Sequence, residues 1–255
     1  MTPERINVLG VPLDLVNMQS ALDATERMIN GDAHSGCVLA VNPEKIIALR
    51  KDDWLLGFFR KADVLIPDGI GAVWAASYLS GAKVGRVPGA DFMQNLCAIA
   101  AQKGYRTFFY GAKEVISEGA VDILKERYPG LKVVGRRNGY VSTDEMEPLV
   151  SEINESAAQI LFIALGSPRQ EQWIAQYGDR LQVKVIQGIG GTLDTITGHV
   201  KRAPASWQRH NLEWLFRLLK EPNRIKRQIQ LPVFALMVVK QKYLSRVMNR
   251  MQKKS

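Results

Sequence analysis

The stretch LIPDGIGAVWAASYL (residues 65–79) holds a single acid, Asp68, between a proline and a glycine, where an apolar run gives way to a helical pattern. A carboxylate at such a junction has two possible uses. It can cap the following helix by accepting hydrogen bonds from the first helical amides, or it can take part in chemistry. The local sequence alone favours the cap.

Two other side chains are of types that suit a polar ligand. Asn42 in AVNPEKI (residues 40–46) carries an amide that could contact a sugar, or it could form an Asx turn ahead of a proline. Arg86 in GRVPGADF (residues 85–92) carries a guanidinium whose two parallel donors match a phosphate. A surface salt bridge with Asp91 or another acid is the plain alternative for Arg86.

The motif GSPRQEQW (residues 166–173) places Gln170 just inside a predicted helix N-terminus, where an amide can contact sugar hydroxyls or a diphosphate. Its neighbours Arg169 and Glu171 are expected to face solvent or to interact with the helix dipole. The glycines of GIGGTLD (residues 188–194) fit a tight turn at least as well as a phosphate-binding loop.

Several kinds of chemistry lack their sequence signals. The three histidines and two cysteines form none of the usual metal-ligand spacings, and no D-x-D pair occurs. There is no G-x-S-x-G elbow, Walker A loop or dinucleotide fingerprint. We therefore expect no metal and no cofactor, so a bound diphosphate would be neutralised by helix N-termini and arginines.

Short β-branched or aromatic runs, among them CVLAV, RTFFYG and QILFIALG, alternate with helical patterns along the chain. This alternation predicts an α/β fold, a Rossmann-like, mostly parallel sheet with helices on both faces. INVLGV (residues 6–11) is read as one such strand. Ligands of open α/β sheets bind at the carboxyl ends of the strands, where several of these runs end in glycine.

The charge is concentrated in a C-terminal tail. The chain carries +9, whereas residues 201–255 alone hold fourteen Lys and Arg against two acids. We place a boundary at residue 198, with an α/β domain at 1–198 and a basic helical appendage at 199–255. Within the appendage the basic residues at positions 242, 246, 250 and 254 share one helical face. Such a helix could lie on an anionic membrane or pack on its own domain.

Four motifs together resemble the WecG/TagA/CpsF family of bacterial glycosyltransferases: AVNPEKI, GRVPGADF, GSPRQEQW and GHVKRAPASWQRHNLEWLFRLLKEPNRIKRQ (residues 198–228). The resemblance extends over nearly the whole chain. The resemblance implies an inverting, metal-independent transfer from a UDP-sugar to a lipid-linked acceptor. The sugar would be N-acetylmannosamine, and the acceptor the 4-hydroxyl of GlcNAc on undecaprenyl diphosphate. The products would be teichoic acid, common antigen or capsule.

The resemblance also implies roles for seven residues. Asp68 would be the general base that takes the acceptor proton, and it could cap the helix as well. Relatives often carry a threonine where this chain has Ala40, which leaves that contact open. The expected substrate-binding residues are Asn42, Arg86, Gln170, Arg217, Arg224 and Arg227, the last three completing the site from the appendage.

Other readings stay open. The donor could be UDP-N-acetylmannosaminuronic acid or another UDP-hexose. A dinucleotide-dependent oxidoreductase lacks its glycine fingerprint, and a non-catalytic module could use the basic tail to bind RNA or membrane. With no long apolar run and a first segment without a leader pattern, we expect a cytoplasmic protein, peripheral on the inner face of the membrane and able to form homo-oligomers, with no nucleic-acid partner.

Overall fold

A single parallel sheet of six strands organises the fold. The computed structural model describes residues 3–31, 35–210, 212–220 and 230–252, without the side chains at 205, 217 and 249–252. The sheet has the order β4-β3-β8-β7-β5-β6, every neighbouring pair is parallel, and an antiparallel hairpin β1–β2 stands beside it. The strands are β1 Arg5–Val8, β2 Val11–Asp14, β3 Gly36–Val41, β4 Val64–Pro67, β5 Arg106–Gly111, β6 Lys132–Arg137, β7 Ile160–Ala164 and β8 Val185–Gly188.

Helices cover both faces of this sheet, as predicted. The first face carries α2, α3, α4, α7, α8 and α12, and the second carries α1, α5, α6 and α9. The helices are α1 Met18–Ile29, α2 Pro43–Leu49, α3 Asp53–Lys61, α4 Ile70–Ser80, α5 Gly89–Lys103, α6 Glu114–Arg127, α7 Met146–Glu155, α8 Arg169–Tyr177, α9 Thr192–Ile196, α10 Ala205–Arg209, α11 Glu213–Lys220 and α12 Gln230–Gln252.

Strand β7 shows how the sequence produces two cores. Successive side chains of a strand point to opposite faces. Leu161 and Ile163 pack in the first core, Ile160 and Phe162 pack in the second, and all four are fully buried. A strand that is buried on both faces needs a continuous apolar run, and this accounts for ILFIA in the middle of the sheet.

The run INVLGV is not one strand, as the sequence suggested, but parts of two. Leu9 and Gly10 both have positive φ, 56° and 93°, so the chain reverses there and forms a tight hairpin. The hairpin is tied to the sheet by Asp14, whose carboxylate accepts from Leu65 N at 2.7 Å and from Arg5 Nε at 2.5 Å.

The C-terminal helix α12 packs on the first face of the domain. Phe234 and Val238 enter the first core, and the Gln241 side chain binds the hairpin by accepting from Leu9 N at 2.8 Å. Lys242, expected on a free basic face, instead donates to the carbonyl of Leu79 at 2.6 Å. No described helix has the length and apolar character needed to span a bilayer. The boundary at residue 198 stays a prediction.

Candidate active site

A cavity of about 420 Å³ opens at the carboxyl edge of the parallel sheet. Its wall combines the end of β3, the loops after β4, β7 and β8, and the first turn of α8. Residues from two short segments, 200–202 and 213–220, close one side of it. The site therefore lies where the fold class predicts one, at strand ends beneath helix N-termini. The wall residues that matter most below are Lys45, Asp68, Gln170, Glu171, Arg202 and Glu213.

Asp68 lies in the cavity wall directly after β4. Its backbone N–H donates to Val41 O at 2.9 Å, which extends the strand pairing by one residue. The helix cap expected at Asp68 is held by Gly69 instead. Gly69 has φ +86°, a conformation that favours glycine, so the chain turns into α4 one residue later than the sequence suggested. The half-buried Asp68 carboxylate belongs to the cavity wall.

Asn42 is the N-cap of α2. Its Oδ1 accepts from Lys45 N at 2.8 Å, and Pro43 occupies the first helical position, where a missing N–H costs nothing. Asn42 lines a second cleft that adjoins the cavity. The structure thus gives Asn42 a capping role close to its plain alternative and places it beside the cavity.

Arg86 forms an ion pair with Glu213 of α11 and donates from Nη1 to Gln208 O at 3.4 Å. Asp91, the partner suggested by sequence proximity, pairs with Arg202 at 2.5 Å between Nη1 and Oδ1. Arg202 Nε also lies 3.5 Å from Glu213 Oε1. Because Arg202 and Glu213 both line the cavity, Arg86 contacts its wall through Glu213.

Gln170 is the second residue of α8, as the sequence predicted. It is 7% exposed, and its Oε1 accepts from Gly190 N at 3.1 Å, which joins α8 to the loop after β8. The same amide also packs against Gly188, the first glycine of GIGG. A Cβ on Gly188 would lie only 2.7 Å from Gln170 Nε2. Gln170 therefore shapes the cavity floor with its amide.

Sequence reasoning missed the pair Lys45–Glu171. Glu171, expected to face solvent or to complement the helix dipole, is 1% exposed and accepts from Lys45 Nζ at 3.1 Å. Both residues stand inside motifs that the sequence marked, AVNPEKI and GSPRQEQW. Their opposite charges are the only available signal, and no spacing rule connects positions 126 apart.

The three arginines expected from the appendage lie wholly or partly outside the described residues. Arg217 is in α11, but its side chain lies outside the described residues, as do Arg224 and Arg227 altogether. Among the described residues no group of three or more His, Cys, Asp or Glu could hold a metal ion.

This fold and cavity define an α/β protein whose ligand site lies at the sheet edge, and comparison with known proteins supplies the class. Residues 6–247 match the glycosyl transferase WecG/TagA/CpsF family. The chain belongs to this family and is a glycosyltransferase that transfers a hexose-type sugar.

One curated relative is similar along almost its full length. It is the N-acetylglucosaminyldiphosphoundecaprenol N-acetyl-beta-D-mannosaminyltransferase of Bacillus subtilis (strain 168). The two chains are 33% identical over 232 residues, which cover 91% of this chain and 90% of the relative. The resemblance that the motifs suggested is thereby confirmed.

Proposed function

We propose that this protein transfers N-acetylmannosamine from its UDP-α derivative to the 4-hydroxyl of GlcNAc carried on undecaprenyl diphosphate. The product linkage is β, so the reaction inverts the anomeric carbon. The name of the Bacillus subtilis relative supports both the sugar and the acceptor. The product would enter a cell-surface polysaccharide such as teichoic acid, common antigen or capsule.

The position of Asp68 carries this proposal. A half-buried carboxylate in the wall of a 420 Å³ cavity at the carboxyl edge of the sheet suits a general base for a bound acceptor. Gly69, not Asp68, occupies the N-cap position of α4, so the N-cap position does not require an acid here. Asp68 is the acid that the family resemblance assigns to this role.

The proposed step is a single displacement. The acceptor O–H gives its proton to the Asp68 carboxylate while the oxygen forms a bond to C1 of the donor sugar. The bond from C1 to the phosphate oxygen breaks, and its electron pair leaves on UDP. Asp68 then returns the proton to water. Attack comes from the face opposite UDP, which gives inversion.

The charge that develops on UDP needs cations nearby. Arg202 lines the cavity, and Arg217, Arg224 and Arg227 are the further candidates from the resemblance. We propose that guanidinium and ammonium groups, without a metal, perform this stabilisation.

We further propose that the protein works at the inner face of the cell membrane, where a polyprenyl-linked acceptor resides. Helix α12 turns a row of large apolar side chains to the outside: Val233, Leu236, Val239, Tyr243, Leu244, Val247 and Met248. Together with the tail charge, this surface suits insertion into an anionic interface. Binding to anionic but not neutral vesicles would support it, and a steep salt dependence with RNA alone would contradict it.

The decisive experiment measures UDP release by the purified chain. UDP-N-acetylmannosamine, its uronic acid and UDP-GlcNAc are each offered with a GlcNAc-diphosphate-lipid acceptor, with and without EDTA. We expect acceptor-dependent release with the first donor that EDTA does not reduce. Release with the uronic acid alone would reassign the donor. Loss of activity in EDTA that added Mg²⁺ restores would overturn metal independence.

A further inference from the structure

Two clefts meet at the side chains of Lys45 and Ser167. The first is the 420 Å³ cavity that holds Asp68. The second, of about 580 Å³, lies beside it and is lined by Asn42 and Asp52 among others. Lys45 and Ser167 line both clefts, so the Lys45 ammonium stands at their junction.

Three contacts hold this ammonium in place. Lys45 Nζ donates to Glu171 Oε1 at 3.1 Å and to the hydroxyl of Ser167, and it lies 5.3 Å from the centre of the buried Phe59 ring. The Lys45 side chain is only 17% exposed. A lysine usually keeps its charge in water on a flexible stem, so an ammonium fixed this firmly is unusual.

A gain in stability does not explain why the Glu171 carboxylate is buried. Its side chain is 1% exposed, and no donor among the described residues reaches its Oε2. Burying an ion pair gains little over an apolar pair of the same volume, and an unsatisfied carboxylate oxygen adds a cost. Gln170 Nε2, at 3.5 Å from Oε1, adds only a weak contact.

The location of the pair is also unfavourable for a purely structural lysine. Lys45 is the third residue of α2 and Glu171 is the third of α8. The helix dipole favours Glu171 at that position and opposes Lys45. The two helices follow β3 and β7, which flank β8, so the pair spans the sheet edge above β8. The Lys45 ammonium and the N-terminus of α8 therefore meet at the junction of the clefts, and the Glu171 carboxylate holds the ammonium there.

We propose that Lys45 binds a phosphate group of a substrate at the junction of the two clefts, and that Glu171 is a positioning residue that holds the Lys45 ammonium there. The inference rests on the proposed function, in which the donor and the acceptor each carry a diphosphate. The Lys45 ammonium could bind the diphosphate of the donor or that of the acceptor. The test therefore measures binding of the donor and of the acceptor separately.

The test compares four variants of the full chain. In Lys45→Met/Glu171→Gln the pair becomes neutral at similar volume. In Lys45→Glu/Glu171→Lys the charges are exchanged, so an ion pair remains but the cation moves to α8. Glu171→Gln alone keeps the ammonium but loosens it, and Lys45→Arg keeps a cation. The control is Lys103→Met, which removes a lysine paired with Glu26 on α1.

Three ligands are measured. Calorimetry with inorganic pyrophosphate and with UDP reports binding without turnover, and KM for the lipid acceptor is measured at saturating donor. We expect the neutral and exchanged variants to weaken pyrophosphate and one substrate about tenfold, the loss typical of one charge-assisted hydrogen bond. Glu171→Gln should raise the same KM less, with kcat kept, and Lys45→Arg should retain most of the binding. Lys103→Met should match wild type.

Each result decides between the roles. A folded neutral variant with wild-type affinity for all three ligands overturns the inference, as does full recovery of binding by the charge exchange, which would indicate a structural pair. Loss of UDP affinity assigns Lys45 to the donor, and a raised acceptor KM assigns it to the acceptor. If wild type binds pyrophosphate through Lys45 but transfers no sugar, the proposed function fails while the phosphate site stands.

Discussion

Glu213 of α11 forms an ion pair with Arg86, although the two residues are 127 positions apart, and its other carboxylate oxygen lies 3.5 Å from Arg202 Nε. The carboxylate is 13% exposed and lines the cavity. An acid from the C-terminal segment therefore pairs with two guanidinium groups at the cavity wall. This arrangement connects α11 to the cavity wall through two ion pairs.

Replacing Glu213 should strengthen donor binding. Glu213→Gln removes a negative charge from the cavity wall and releases Arg86 and Arg202 from it, so we expect the Kd for UDP to fall severalfold. Calorimetry at constant ionic strength measures it. Asp91→Asn is the matched comparison, since Asp91 holds only Arg202 of the two arginines. Weaker UDP binding in Glu213→Gln would mean that the acid positions Arg86.

Asp68→Asn should abolish turnover without unfolding the protein. Loss of a general base lowers kcat by roughly 10²- to 10⁴-fold. The Tm should stay near wild type because Asn has the size and shape of Asp, and Gly69 occupies the N-cap position of α4. The control, Asp122→Asn, changes an exposed acid on α6. Unchanged kcat in Asp68→Asn, measured by acceptor-dependent UDP release, would exclude the base role.

Gln170→Ala should impair both the site and its loop. The variant removes the acceptor for Gly190 N, so we expect a loss of about 1 kcal/mol in the free energy of unfolding and a raised KM for the donor. Urea unfolding and steady-state kinetics measure the two effects. Gln172→Ala, on the exposed side of the same helix, should change neither. A wild-type KM in Gln170→Ala would confine that residue to a structural role.

Arg5→Met should destabilise the fold in a pH-dependent way. Burial raises the pKa of Asp14 despite the opposing hydrogen bond and charge of Arg5. An acid with a raised folded pKa contributes stability at low pH and loses it as pH rises through that pKa. Without Arg5 the pKa rises further, so the loss should be roughly 3 kcal/mol at neutral pH and much smaller in acid.

Urea unfolding at about pH 7 and about pH 3 checks the Arg5 prediction, since the lower pH lies below the ordinary Asp pKa of about 3.9. The control is Arg180→Met, which removes an exposed ion pair with Glu147. It should have little effect at either pH. An equal loss from Arg5→Met at both pH values would show that packing, not the charge on Asp14, sets its effect.

Alanine substitutions on the two sides of α12 should have different effects on stability. Phe234 is 2% exposed within the first core, so Phe234→Ala should cost about 3–5 kcal/mol of unfolding free energy. Leu236 lies on the exposed side of the same helix and is 71% exposed. Leu236→Ala should change the free energy of unfolding by no more than about 0.5 kcal/mol. Binding to anionic vesicles should be weakened by Leu236→Ala more than by Phe234→Ala. A stable Phe234→Ala protein would mean that the helix contributes little to the fold.

The sequence alone determined the fold class and the family of the protein. Continuous apolar runs such as ILFIA are typical of strands covered on both faces, so their alternation with helical patterns predicted the parallel sheet and the site at its edge. Motifs around Asp68 and Gln170 indicated the glycosyltransferase family before any geometry was known. These patterns lie within a few neighbouring residues, so they can be recognised without knowledge of the fold.

Tertiary structure decided which charges meet. The pair Lys45–Glu171 crosses the sheet edge, and the pair Arg86–Glu213 joins the C-terminal segment to the cavity wall. The sequence suggested Asp91 or another acid as the partner of Arg86 and could not say which acid it would be. Periodicity left open whether α12 lies on a membrane or packs on its own domain, and in the structure Phe234 and Val238 pack in the first core. Pairing and docking depend on strand order, because the order of strands sets which loops become neighbours.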